Sequence, residues 1–166
     1  NTLITGKAKD CLYAVNGKLL QGGETVVFRG VSINSRTVKE GELFVCIKGE
    51  NFDGHDFFGD AFRKGAAGII LSDTKNLSTG MLGKGESPFV IQSENTLRAL
   101  QDLASYQRSL FPFRVIAVTG TNGKSTTKEM IASIIETKYK TLKTQGNLNN
   151  HIGLPLTLLK REPEHE

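Results

Sequence analysis

The sequence predicts an α/β protein in two parts: a small mixed α/β domain over residues 1–111, then the opening of a parallel-sheet domain over residues 112–166. Three observations carry this expectation. Apolar runs alternate with helical stripes between residues 43 and 104, the rhythm of β–α–β units. RVIAVTG at 114–120 is a continuous apolar run, the mark of a parallel strand buried on both faces, and it feeds a glycine-broken loop and a helical pattern. After residue 114 only one such unit and a stub follow, whereas a parallel sheet needs several. The second domain is therefore expected to be truncated, and the chain to be an N-terminal fragment.

Composition sets the class. With 38% hydrophobic and 23% charged residues among 166, the chain suits a soluble globular protein. No apolar run approaches the ~20 residues that span a bilayer, and NTLITGKAKD lacks the apolar centre of a signal peptide. The net charge of +4 is scattered, which argues against nucleic acid and suits a small anionic ligand. Cys11 and Cys46 are too few for a disulfide framework and match no zinc spacing, so a reducing cytoplasm is the simplest location.

Taken in order, the elements are read from residue 25 onward. TVVFRGVSI at 25–33 is rich in β-branched residues, and LFVCIK at 43–48 forms a second strand after the KEGE turn. The loop GENFDGHDF leads into a helix whose Phe57, Phe58, Ala61 and Phe62 share a face, and Gly65 ends it. GIIL at 68–71 is a buried strand, and PFVI at 88–91 is another, beyond a polar loop at 72–87. Ser93 or Asn95 caps the next helix, with Leu97, Leu100, Leu103 and Ala104 at i, i+3, i+4 spacing. FPFR at 111–114 is read as the joint between the two domains. Past the glycine loop, Met130, Ile131, Ile134 and Ile135 form the core stripe of a helix, and TLKT at 141–144 is read as the start of a strand. LPLTLL at 154–159 is apolar.

The stretch AVTGTNGKSTTKEM, residues 117–130, carries the chemistry. A strand that turns through glycines into a helix aims several backbone N–H groups at one point, and the helix dipole adds partial positive charge there. Gly120 and Gly123 let the backbone wrap closely, Lys124 reaches toward the β- and γ-phosphates of a nucleotide, and the Ser125 hydroxyl suits Mg²⁺. The general phosphate-loop pattern wants glycine where Val118 stands, so this is a shortened form, G-T-N-G-K-S-T. The plainer alternative is a glycine turn that caps a helix.

GTNGKSTT after an apolar strand resembles the ATP loop of the Mur ligase family. INSRTVKEGELFVCIKGENFDGHDFFGDAFRKGAAGII, residues 33–70, is similar to the UDP-binding domain of two branches of that family. TQGNLNNHIGLPLTLL, residues 144–159, resembles the branch that uses D-alanyl-D-alanine rather than the branch that adds the third stem-peptide residue. Together these stretches cover most of residues 25–159. Two departures stand out: the usual D-S-R is Asn34-Ser35-Arg36, and G-D-L-F is Gly41-Glu42-Leu43-Phe44.

The resemblance implies a UDP-precursor-binding N-terminal domain followed by an ATP-binding one. It implies an ATP-dependent amide ligase of peptidoglycan synthesis, in which a phosphorylated substrate carboxylate is attacked by an amine. ATP and Mg²⁺ would sit on Gly120, Thr121, Asn122, Gly123, Lys124, Ser125 and Thr126, with Lys124 catalytic and Ser125 on the metal. The substrates would be UDP-N-acetylmuramoyl-tripeptide and D-alanyl-D-alanine, the former meeting Ile33, Ser35, Arg36, Glu50, Asn51, Phe52, Asn147 and Asn150. Arg36 has two readings, a phosphate partner or a brace of its turn. His55 is a cap or packing residue rather than a ligand contact, and Asn147, Asn149 and Asn150 divide between turn formation and facing the substrate. Lys128 and Glu129 are read as a solvated face. The full-length protein is expected to be a cytoplasmic monomer without nucleic-acid or membrane partners, its remaining catalytic residues lying past 166 and the fragment itself inactive. A precursor-binding module without turnover is the competing class. A generic phosphate-loop kinase or GTPase leaves residues 33–70 unexplained and lacks D-x-x-G and N-K-x-D downstream.

Overall fold

A computed structural model describes residues 5–75, 77, 85, 88–111, 113–146 and 150–165. Its elements are β1 (Thr5–Lys7), α1 (Ala8–Val15), β2 (Lys18–Gln21), β3 (Val27–Arg29), β4 (Val31–Ser32), β5 (Leu43–Val45), α2 (Phe58–Arg63), β6 (Gly68–Leu71), β7 (Phe89–Gln92), α3 (Thr96–Ser109), α4 (Lys124–Ile135) and α5 (Gly153–Leu158).

The centre is a five-stranded sheet in the order β2-β7-β6-β5-β4, parallel throughout except that β2 runs antiparallel to β7. Strands β5, β6 and most of β7 are apolar at every position because both sheet faces are covered. Their side chains alternate between two cores, as the two-residue strand period requires. Leu43, Val45, Ile70, Phe89 and Ile91 face α1 and α3, joining Cys11, Leu100 and Leu103. Phe44, Cys46, Ile69, Leu71 and Val90 face α2, joining Phe58 and Ala61. The predicted strands at 43–48, 68–71 and 88–91 are present as β5, β6 and β7, with α2 between the first two, α3 after the third, and Gly65 closing α2. Asn95, not Ser93, caps α3: its side chain accepts the Arg98 N–H at 2.9 Å.

Residues 5–21 hold more than the sequence reading found. α1 buries Ala8, Cys11 and Val15 and packs on α3, while β1 pairs with β3. The apolar LPLTLL falls largely in α5, which also packs on α3, and Leu159 enters the core shared by α1 and the sheet.

Two expectations are corrected. RVIAVTG is not a buried strand: residues 113–120 form no strand, and Val115 and Ile116 are 53% and 59% exposed. A parallel strand exists only through the hydrogen bonds of its neighbours, and no strand occurs among the described residues from 113 to 165, TLKT included. α4 forms where expected, because its pattern is local, but its stripe is not a core. Met130 and Ile134 are 62% and 70% exposed, and only Ala132 is buried. No helix among the described residues is long and apolar enough to cross a membrane.

Candidate functional site

Strands β4 to β7 are parallel, so the segments that leave their carboxyl ends gather along one edge: 33–37, 46–53, Ser72 and Ser93. The crevice outside the carboxyl ends of such strands is where open α/β sheets bind ligands. Every uridine-side residue expected from positions 33–52 lies there.

The first wall is the turn after β4. Asn34 organises it: its side-chain oxygen accepts the Arg36 N–H at 2.9 Å, and its carbonyl accepts the N–H of Thr37 and Val38 at 3.1 and 3.0 Å. The amide oxygen of Asn34 accepts this bond as a carboxylate oxygen at the same position would. Ser35 is buried, Ile33 packs against the core, and Arg36 is exposed. Lys64, at the end of α2, donates to the carbonyls of both Ser35 (2.7 Å) and Arg36 (2.6 Å). Sequence reasoning missed this brace, because a lysine at a helix end carries no mark of a partner 29 residues away.

The second wall is a tight turn after β5. Lys48 and Asp53 pair at its base, the Gly49 N–H donates to the Phe52 carbonyl at 2.8 Å, and Glu50, Asn51 and Phe52 form the exposed tip. Gly54 follows because nothing larger fits: a Cβ there would lie 2.8 Å from Ile47 N and 2.9 Å from Cys46 Cα. His55 is buried and packs rather than facing outward, as expected. Its Nδ1 is 2.6 Å from Asp53, and its Nε2 accepts the Ser72 N–H at 3.0 Å. Burial pushes the Asp53 carboxyl up, but hydrogen bonds from the His55 backbone and ring, with Lys48 nearby, hold it below the ordinary 3.8. Burial pushes the Cys46 thiol far up and leaves it inert core.

The glycine loop at 120–126 is open and exposed. Gly123, at φ +76°, is the residue from which α4 starts, and Gly120 is also left-handed at φ +150°. No side chain caps α4, so its first N–H groups keep their capacity to bind an anion. The Lys124 ammonium folds back onto the Gly120 and Thr121 carbonyls, alongside exposed Thr121, Asn122, Ser125 and Thr126. Beside the loop runs an open groove of about 630 Å³ lined by Ser125, Thr126, Glu129, Met130, Ser133 and Lys143. Glu129 is exposed, as its helical position suggested, whereas Lys128 is partly covered and donates to the Thr144 carbonyl. Hydrogen bonds from Lys143 first and Lys128 second hold the Glu129 carboxyl below the usual range. Asn150 resolves toward turn formation, its side-chain oxygen accepting the N–H of Ile152 and Gly153 at 3.1 and 2.7 Å. Asn147 and Asn149 lie outside the described residues.

Comparison with known proteins gives one family for both parts of the chain. Residues 27–108 match the family described as "Mur ligase family, catalytic domain", and residues 118–166 match "Mur ligase middle domain". The UDP-N-acetylmuramoyl-tripeptide--D-alanyl-D-alanine ligase of Bacillus subtilis is 43% identical over 95% of this chain. A crystal structure of MurF from Acinetobacter baumannii superposes with a TM-score of 0.85 at 32% identity, over 99% of this chain and 35% of that one. MurF ligase from Thermotoga maritima in complex with ADP gives 0.71 at 36% identity, over 83% of this chain and 30% of that one. The chain spans about a third of the length of the curated relatives it matches. With two consecutive domains of one family matched and both loops formed, the chain belongs to the Mur ligase family.

Proposed function

We propose that this chain is the precursor-binding and ATP-loop portion of an ATP-dependent amide ligase of peptidoglycan synthesis, which joins D-alanyl-D-alanine to UDP-N-acetylmuramoyl-tripeptide. Residues 1–111 would hold the UDP end of the precursor, and residues 112–166 would open the ATP-binding domain. The observation that carries this reading is the pairing, in one chain, of a braced crevice at the carboxyl ends of β4 and β5 with an uncapped glycine loop at α4. The 43% identity to the Bacillus subtilis ligase supports it.

In the crevice, Ser35 and the backbone of 50–52 would read the uracil edge while Ile33 and Phe52 cover its face. Arg36 and Asn147 would lie toward the phosphates and peptide, and Asn150 would shape the loop that presents them. At the glycine loop, the N–H groups of 120–126 and the Lys124 ammonium would neutralise and orient the transferring phosphoryl group. Bound ATP would supply the phosphoryl group that activates the precursor's terminal carboxylate. The loop fits such an anion, because its first-turn N–H groups have no side-chain cap. No group of three His, Cys, Asp or Glu occurs among the described residues, and the Ser125 hydroxyl is the group of this chain that would contribute to holding Mg²⁺. A cytoplasmic, monomeric full-length ligase belongs to the same reading.

Calorimetric titration of this chain with UDP-N-acetylmuramoyl-tripeptide, with UMP as competitor, tests it. Saturable binding that UMP displaces is expected. A folded sample that takes up neither compound would count against the crevice as the precursor site.

A further inference from the structure

His55 is buried, yet both ring nitrogens are engaged by groups from different parts of the chain. Nε2 accepts the Ser72 backbone N–H at 3.0 Å, so that nitrogen carries no proton. The proton therefore sits on Nδ1, 2.6 Å from the Asp53 carboxylate. Asp53 also accepts the His55 backbone N–H at 3.0 Å and faces Lys48 at 3.9 Å, closing the base of the 48–53 turn. A continuous line of contacts thus runs from the carboxyl end of β6, through one oriented imidazole, to the turn that carries Glu50, Asn51 and Phe52.

The Ser72 hydroxyl lies 3.1 Å from the same Nε2, which gives the outline of a nucleophilic triad. The chemistry is absent, because the Nε2 lone pair is already committed to the Ser72 N–H. This arrangement holds position.

We propose that His55 is a positioning residue of the uridine-nucleotide site: as a neutral Nδ1–H imidazole it clamps the base of the 48–53 turn to β6 and so sets the tip at 50–52 for the ligand. The proposal rests on the reading of 33–52 as the precursor site. The tip residues are exposed, so their placement is inherited from that base.

Two half-replacements separate the arms. His55→Asn retains a donor toward Asp53 and loses the bond to Ser72. His55→Gln retains an acceptor at the reach of Nε2. Each is titrated with UDP-N-acetylmuramoyl-tripeptide at a temperature where its melting curve shows it fully folded, and amide exchange is followed at 50–52. His55→Asn is expected to bind about tenfold more weakly and His55→Gln within about threefold of wild type. Exchange at 50–52 is expected to quicken in His55→Asn while β7 stays protected. Asp53→Asn, which leaves the imidazole in place, gives the same readout should His55→Asn fail to fold. Equal affinity in wild type and these variants overturns the positioning role alone. A folded wild type that binds no precursor overturns the site assignment and this proposal with it.

Discussion

The ammonium of Lys64 lies 2.7 Å from the carbonyl oxygen of Ser35, joining the end of α2 to the turn after β4 across 29 residues of sequence. It also holds the next carbonyl, Arg36, at 2.6 Å. Two consecutive peptide groups are thereby oriented by one side chain, and the wall that bears Ser35 is formed before any ligand arrives. Lys64→Met keeps the aliphatic stem and removes both bonds. Because the residue is largely exposed, the expected loss is about 1 kcal/mol, read as a lower urea midpoint with an unchanged slope.

Gly54 is confined by backbone, which cannot move aside as a side-chain tip can. A Cβ there meets Ile47 N at 2.8 Å and Cys46 Cα at 2.9 Å. Gly54→Ala is expected to cost about 2–3 kcal/mol, and denaturant titration measures it. Gly41→Ala is a contrast: its Cβ would meet nothing within 4 Å, so any cost comes from the positive φ of 81° alone.

Asp53 makes stability depend on acid. Its folded carboxyl is held below the ordinary 3.8, chiefly by hydrogen bonds from His55 that outweigh burial. A depressed carboxylate contributes stability that is present above its unfolded value and is lost as pH falls through the folded one. Melting temperature is therefore expected to hold from neutral pH to about 5 and to drop below about 4. Asp73, Glu129 and Glu162 shift the same way, so the contribution of Asp53 is the difference between wild type and Asp53→Asn across that range.

Cys11 and Cys46 are free and buried. Burial, with Asp10 adding to it, pushes the Cys11 thiol up to about 12, and burial pushes Cys46 up as well. Neither forms thiolate near neutral pH, and the thiolate is the reacting species. A disulfide reagent at pH 8 is expected to label neither thiol in the folded chain and both in denaturant. Labelling of the folded chain at the unfolded rate would contradict this burial.

Among the described residues Lys124 hydrogen-bonds only to loop carbonyls, so its removal is expected to leave the fold intact. Lys124→Ala is expected to shift stability by less than about 0.5 kcal/mol while weakening ADP binding about tenfold through loss of a charge-assisted contact. Titration of both chains with ADP, beside their melting curves, separates the two effects.

Much of this architecture was legible residue by residue. The apolar runs at β5, β6 and β7 and the stripe Leu100, Leu103, Ala104 announce a sheet covered on both faces, because burial on two sides demands apolar residues at every strand position. The turn into α4 was legible because its backbone depends on the freedom of Gly120 and Gly123, which is written in residue identity. Less visible were α1, whose Ala8, Cys11 and Val15 stripe is only two turns long, and α5, whose short run LPLTLL is apolar without a helical period. The run at 114–120 was misread for the complementary reason. Apolar character states what a segment can bury, while strand formation depends on partners elsewhere in the chain.

The sequence by itself determined the local events: the apolar runs of β5, β6 and β7, the helical stripes of α2, α3 and α4, the backbone freedom at Gly120 and Gly123, and the lysine that follows the loop. These follow from sterics and periodicity within a few residues. Only the tertiary structure decided that Lys64 braces Ser35, that His55 links Asp53 to Ser72 as a single tautomer, and that the 33–37 and 48–53 turns share one edge of the sheet. Those relations span up to 29 residues and arise from parallel strand order, which brings successive carboxyl ends together whatever lies between them.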